Sequence, residues 1–181
     1  MRFAARAEAG RAVIGIPISP AAGVLPILSA VASPLHAHFH ESEIAMASAG
    51  WDLQKAVYAA LAADGTLTTL LGGAAIHDAA PQDAAFPYIV IDQTQIRDWS
   101  TGAEPGAEHM LMLHVWSRYA GKREAYEIAD AVRAVLDGAL LSLEDHRLVN
   151  LRHQYSELKR DADGETQHGV LRFRAVTEPL G

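Results

Sequence analysis

From Ser48 onward, apolar residues recur three and four positions apart: Leu53, Ala56, Val57, Ala60 and Leu61. That spacing is one stripe of an amphipathic helix, and Ser48 is of the type that caps a helix start. Asp64-Gly65 stops the run. Thr66 is expected to cap a short second turn carrying Leu67, Leu70 and Leu71, which Gly72-Gly73 closes. A second helical stripe, Ala125, Ile128, Ala129, Val132, Val135 and Leu136, lies inside "KREAYEIADAVRAVLDG". Lys122, Arg123, Glu127, Asp130 and Arg133 fall off that stripe, and Gly138 terminates it.

Between and after these helices the period changes. "YIVIDQTQI" is rich in β-branched residues and holds no breaker, so it reads as one strand after a loop over 79–86 and Pro87. "STGAEPGAE" is a polar connection, long for a hairpin, and is expected to be mobile. It leads to "HMLMLHVWSRYA", apolar on both faces near its middle, the mark of a central strand covered on both sides. The end reads as a hairpin: "RLVNLRHQYSELK" and "HGVLRFRAVTE" flank a turn at Asp163-Gly164. In the last strand Leu171, Phe173 and Ala175 share one face, and Arg172 and Arg174 share the other. The order helix, two strands, helix, two strands predicts an α+β fold. Its sheet is mainly antiparallel, with about four strands and two main helices packed on one face.

The first 45 residues have no such period. They hold Pro17, Pro20, Pro26 and Pro34 and little charge. The apolar run from Ala12 to Ala32 approaches a membrane-spanning length, but its prolines and glycines oppose a stable helix there. Arg2, Arg6 and Arg11 before it, and Ala30-Val31-Ala32 at its end, give a signal peptide as the rival reading. Residues 1–45 are expected to be a disordered extension before a domain at 46–181, with translation expected to begin at Met46. The chain has 181 residues, enough for one domain with a real core. Its formal net charge of −7 opposes sequence-independent binding to nucleic acid, which needs a basic footprint. It has no cysteine, so disulfides, thiolate zinc sites and thiol catalysis are excluded.

Candidate chemistry is thin. His36, His38 and His40 alternate, and on an extended backbone they would supply three nitrogen ligands to zinc. Their flanks supply no rigid frame, so a small metal-dependent hydrolase stays the minor alternative. His77-Asp78 lacks partner histidines. Ser156-x-x-Lys159 lies on a predicted strand, where the two side chains face opposite ways. His109 and His114 likewise lie on opposite faces of their strand. Asp92, Asp98, Glu104 and Glu108 form no convincing acid–base pair, and no phosphate loop precedes a helix. Arg147, Arg152, Arg172 and Arg174 are expected to form a basic stripe across the final hairpin, a solvated face or a subunit interface, with nucleic-acid contact as the rival reading. Trp116 reads as core or interface.

The runs "AAPQDAAFPYIVI", "RDWST", "LHVWSRYAGKREAYEIADAVRAVLDGA" and "RLVNLRHQYSELKRDADGETQHGVLRFRAVTE" resemble the tail-terminator (tail completion) family of long-tailed phages. The likeness is to the branch found in prophages and gene transfer agents of alphaproteobacteria, and it covers about Met46 to Glu178. The resemblance implies a ring, usually a hexamer, on the head-proximal end of a tail tube. Such a ring stops tube growth and meets the head connector. It implies no catalytic residue, metal or cofactor. The roles it implies for Pro87, Trp116, Gly121, Gly164, Gly169 and Phe173 are structural. Partners would be further copies of the chain, the tube protein and the connector protein, with DNA only as passing cargo and no membrane. The protein would assemble in the bacterial cytoplasm and end in the tail or neck of a particle. A related neck or head-completion protein is the alternative. Arg152, Arg172, Arg174 and Trp116 are the subunit-interface candidates.

Overall fold

The computed structural model describes residues 34–92, 95–102 and 104–180, with side chains from Ser48. The helices are α1 (Pro34–Ala63), α2 (Gly65–Leu70) and α3 (Arg123–Leu136). The strands are β1 (Ile76–His77), β2 (Tyr88–Ile91), β3 (Gln95–Asp98), β4 (Ala107–Ser117), β5 (His146–Arg160) and β6 (Gln167–Pro179). They make a six-stranded mixed sheet in the order β1-β2-β4-β6-β5, with β3 also on β4. β1 runs parallel to β2, and every other pair is antiparallel.

The α+β class therefore holds, while the expected sheet, mainly antiparallel with about four strands, becomes a mixed one of six strands with a single parallel pair. Two local causes account for the difference. β1 is a two-residue pairing beside β2, too short to leave a period in the sequence. The single strand expected over "YIVIDQTQI" is broken into β2 and β3, both of which pair with β4. Ile91 lies opposite Leu113, but Gln95 lies opposite Met110 instead of His109. One residue more than the partner strand thus sits on the β2–β3 side, as in a bulge. It turns Ile96 toward the helices, where Gly50 of α1 lets it approach: a Cβ on Gly50 would lie 2.5 Å from Ile96 Cδ1.

α1 begins at Pro34, well before the predicted start at Ser48, so the expected boundary at 45/46 falls inside this helix. Residues 1–33 lie outside the described ones. α2 is capped by Asp64, whose Oδ1 accepts the Leu67 amide at 2.7 Å; the expected cap, Thr66, is already inside the helix. α3 follows its predicted stripe, with Ala125, Ile128, Ala129, Val132 and Leu136 buried. Gly138 ends it at φ 77°, a conformation that glycine adopts without a Cβ penalty. Its amide then bonds to the Leu151 carbonyl, fastening the α3–β5 connection along β5. The 99–106 connection closes on itself through Trp99 N to Gly106 O and Thr101 N to Glu104 O.

The core lies between the helices and one face of the sheet. Leu53, Val57 and Leu61 of α1 meet Ile128, Val132 and Leu136 of α3. Beneath them lie Leu111, Leu113, Leu171, Phe173 and Ala175. Leu171, Phe173 and Ala175 are fully buried on the face that alternation assigned to them. α1 is tied to the start of β5 by a buried carboxylate. Asp52 Oδ2 accepts His146 Nδ1 at 2.7 Å and the Asp145 amide at 3.1 Å, and Lys55 Nζ lies 3.1 Å from Asp52 Oδ1. Burial pulls the Asp52 pKa upward, and these donors outweigh it, so the acid is held below its usual range.

Candidate functional site

β4 alternates strictly between buried and half-buried residues. Its buried face carries Leu111, Leu113 and Val115 beneath the helices. Its other face carries Glu108, Met110, Met112, His114 and Trp116, and no described helix packs on it. This strand was expected to be covered on both sides; among the described residues only one side is covered. Register extends that open face across the sheet. Trp116 lies opposite Tyr88 and His168, His114 opposite Val170, Met112 opposite Arg172 and Met110 opposite Arg174. A half-buried surface rich in Met, aromatic and Arg side chains is the composition of a protein interface core.

One end of this face is an aromatic stack. Trp116 lies on His168 with ring centroids 3.9 Å apart and planes 8° from parallel. Tyr88 stacks on the other side at 6.4 Å, and Arg118 sits 4.3 Å over the Phe86 ring. His114 Nδ1 and His168 Nε2 are 2.7 Å apart, a hydrogen-bond distance, while His114 Nε2 lies 3.1 Å from Asp92 Oδ2. Burial, then the neighbouring His114 and Lys159, hold the His168 imidazole below the usual histidine range. Trp116, a sequence candidate, is therefore part of the open face.

The other end carries the arginines, and here the predicted stripe divides. Arg174 Nε donates to Glu108 Oε1 at 2.5 Å, and its guanidinium lies 5.0 Å from the Trp99 ring centre. Arg147 pairs with Glu178. Arg152 is opposite Arg174 in register, but its guanidinium reaches over the sheet edge to within 3.1 Å of where a Cβ on Gly138 would stand. Arg172 is exposed and, among the described residues, unpaired. The structure thus groups Arg172, Arg174 and Trp116 on one face and sends Arg152 to its edge. It adds Arg97 of β3, which sequence reasoning missed. Arg97 lines a hollow of about 180 Å³ with Gln95, Met110, Met112 and Arg172.

The catalytic candidates stay apart. His109 is buried on the core face, its Nε2 2.8 Å from Thr177 Oγ1, while His114 is on the open face. Ser156 lies opposite Leu171 and Lys159 opposite His168, hence on opposite faces. Asp78 Oδ1 accepts the Ala79 amide in a turn. Among the described residues no three His, Asp or Glu side chains gather as a metal site. His36, His38 and His40 lie on a helical backbone, unlike the extended one that the three-ligand reading required, and their side chains are outside the described ones. No helix among the described residues is long and apolar enough to cross a membrane.

Residues 55–178 match the family described as "Tail completion protein gp17". The tail completion protein gp17 of Bacillus phage SPP1 is 27% identical over 93 residues, 51% of this chain and 69% of that protein. A solved chain from the virion of a native gene transfer agent particle superposes with a TM-score of 0.67. It is 34% identical, and the match covers 71% of this chain and 96% of that one.

Proposed function

We propose, from the premise that this chain belongs to the tail completion protein gp17 family, that it forms a ring closing the head-proximal end of a phage-like tail tube. Membership of this family makes it a structural virion protein of the tail. The finer reading is that six copies close into the ring, stop tube growth and join the tail to the head connector. The observation that carries it is the open sheet face: half-buried Trp116, Met110 and Met112 beside exposed Arg172, a surface that no described helix covers. A closed ring needs such a patch on each copy, facing a different patch on the next. The acidic balance of the chain, −7, suits a channel through which DNA slides without sticking. Assembly would take place in the bacterial cytoplasm, and the finished protein would sit between tail and head.

Removal of the gene from its element, followed by electron microscopy of the particles, tests this reading. Overlong or unstable tails are expected, together with rings of the purified protein in negative stain. Normal tails with leaking heads would instead make it a head-completion protein.

A further inference from the structure

On the open face, Met110 and Met112 lie between two arginines on different strands, Arg97 and Arg172. Together with Gln95 they line the hollow of about 180 Å³. Roughly 150 Å³ suffices to hold a benzene-sized group, so this hollow takes one aliphatic side chain. Both guanidinium groups are exposed, and among the described residues neither has a carboxylate within ion-pair distance. Arg174 beside them differs, since Glu108 already neutralises it. An apolar floor between two unneutralised cations fits an aliphatic side chain accompanied by carboxylates.

The same chain presents such a group elsewhere. In the α3–β5 connection, Leu140 is 90% exposed, the most exposed large apolar side chain among the described residues. Its neighbours Leu141 and Leu143 pack against the core, so Leu140 is not simply part of a loose apolar loop. The connection is pinned to β5 by Gly138 N to Leu151 O, by the His153 amide on Asp137 Oδ1 and by the bridge between Ser142 and Arg147. Residues 137–145 carry Asp137, Glu144 and Asp145, all exposed; Lys55 already pairs with Glu144 and the Arg152 guanidinium lies beside Gly138, so Asp137 and Asp145 are the carboxylates here without an ion pair among the described residues. Leu140 is therefore held outward at the β5 edge of the sheet, between Asp137 and Asp145 along the chain. β4, which floors the hollow, lies two strands in from that edge.

We propose that Leu140 of one copy seats in the hollow between Arg97 and Arg172 of the next copy, with Asp137 and Asp145 meeting the two free guanidinium groups. The inference rests on the ring reading and names the two patches that make it. Donor and acceptor do not overlap, so the contact is heterologous and repeats head to tail, the arrangement that closes into a ring. Opposite charge on the two patches also opposes pairing of like with like.

The chain has no cysteine, so two introduced thiols would be its only ones. The full chain carrying Leu140→Cys and Met112→Cys, treated with a mild oxidant, should give a ladder of linked oligomers on a non-reducing gel. Each single variant should stay monomeric on that gel, and a mixture of the two singles should give a dimer and nothing larger. Rings in negative stain without a ladder would overturn the seating and leave the ring reading standing. Neither rings nor ladder would overturn both. A dimer from Leu140→Cys alone would mean that like meets like, and would also overturn the seating. Leu140→Asp gives a second measurement that does not depend on Met112. It should leave the thermal midpoint unchanged and raise the concentration at which rings dissociate at least tenfold; an unchanged dissociation would overturn the proposal.

Discussion

At the residue scale, the acid response of the fold traces to a histidine that touches no open surface. His109 is fully buried, and burial, followed by the nearby His146 charge, pushes its pKa down to about 4 from 6.5. Between those values the unfolded chain binds a proton that the folded chain refuses. Stability is therefore full above about pH 6.5 and falls by about 1.4 kcal/mol per pH unit toward pH 4. Denaturant midpoints measured from pH 7 to pH 4.5 should show this decline, and His109→Gln should flatten it; an unaltered slope would place the titrating group elsewhere. Asp52 acts in the same direction, since its depressed pKa makes its contribution present above the usual carboxylate range and lost below it. Alternation along the strand separated His109 from His114, but nothing local revealed the partners of Asp52. His146 lies 94 positions away, and only the packing of α1 against the start of β5 brings the two together.

Elements with a long, clean period were the most legible. α3 and the β5–β6 hairpin follow their stripes, and both predicted punctuation glycines, Gly138 and Gly164, adopt positive φ. At the hairpin tip Asp163 takes up the Thr166 hydroxyl, then the Thr166 and Glu165 amides, which pushes its pKa down to about 2. The Gly138 turn sets how the α3–β5 connection leaves the helix. Gly138→Ala should destabilise the fold by about 1–2 kcal/mol through the left-handed backbone, with its Cβ also 3.1 Å from Arg152 Nη1. Chemical denaturation measures this, and a change near zero would mean the turn relaxes freely. Less legible was the break between β2 and β3, because "YIVIDQTQI" holds no breaker. Its signal is in the tertiary structure, in the fit of Ile96 against Gly50.

For the whole molecule, the described helices cover one side of the sheet, and none of them covers the other. The sequence placed Arg172 and Arg174 together on that side correctly but could not tell them apart. The partner that distinguishes them, Glu108, is 66 positions from Arg174 and becomes adjacent only through strand pairing. The two charge reversals should therefore behave differently. Arg172→Glu should keep the melting temperature of the purified protein and lose its rings, as read by light scattering and negative stain. Arg174→Glu should lower the melting temperature as well, because it sets a second carboxylate against the half-buried Glu108. Equal loss of stability in both would refute the distinction.

The displaced register between Ile91 and Gln95 has a consequence for how this surface can change over generations. Three residues there stand opposite two of β4, Met112 and Leu111. Removing one would make the two strands equal in length and leave Ile96 opposite His109 beneath the helices and Arg97 opposite Glu108 on the open face. Removing two, with the pairing kept in step from Ile91, would send Ile96 outward and Arg97 inward. The segment thus holds one residue in reserve: loss of a single codon is absorbed, and loss of a second exchanges a cation for an aliphatic group on the open face, without a substitution at either position.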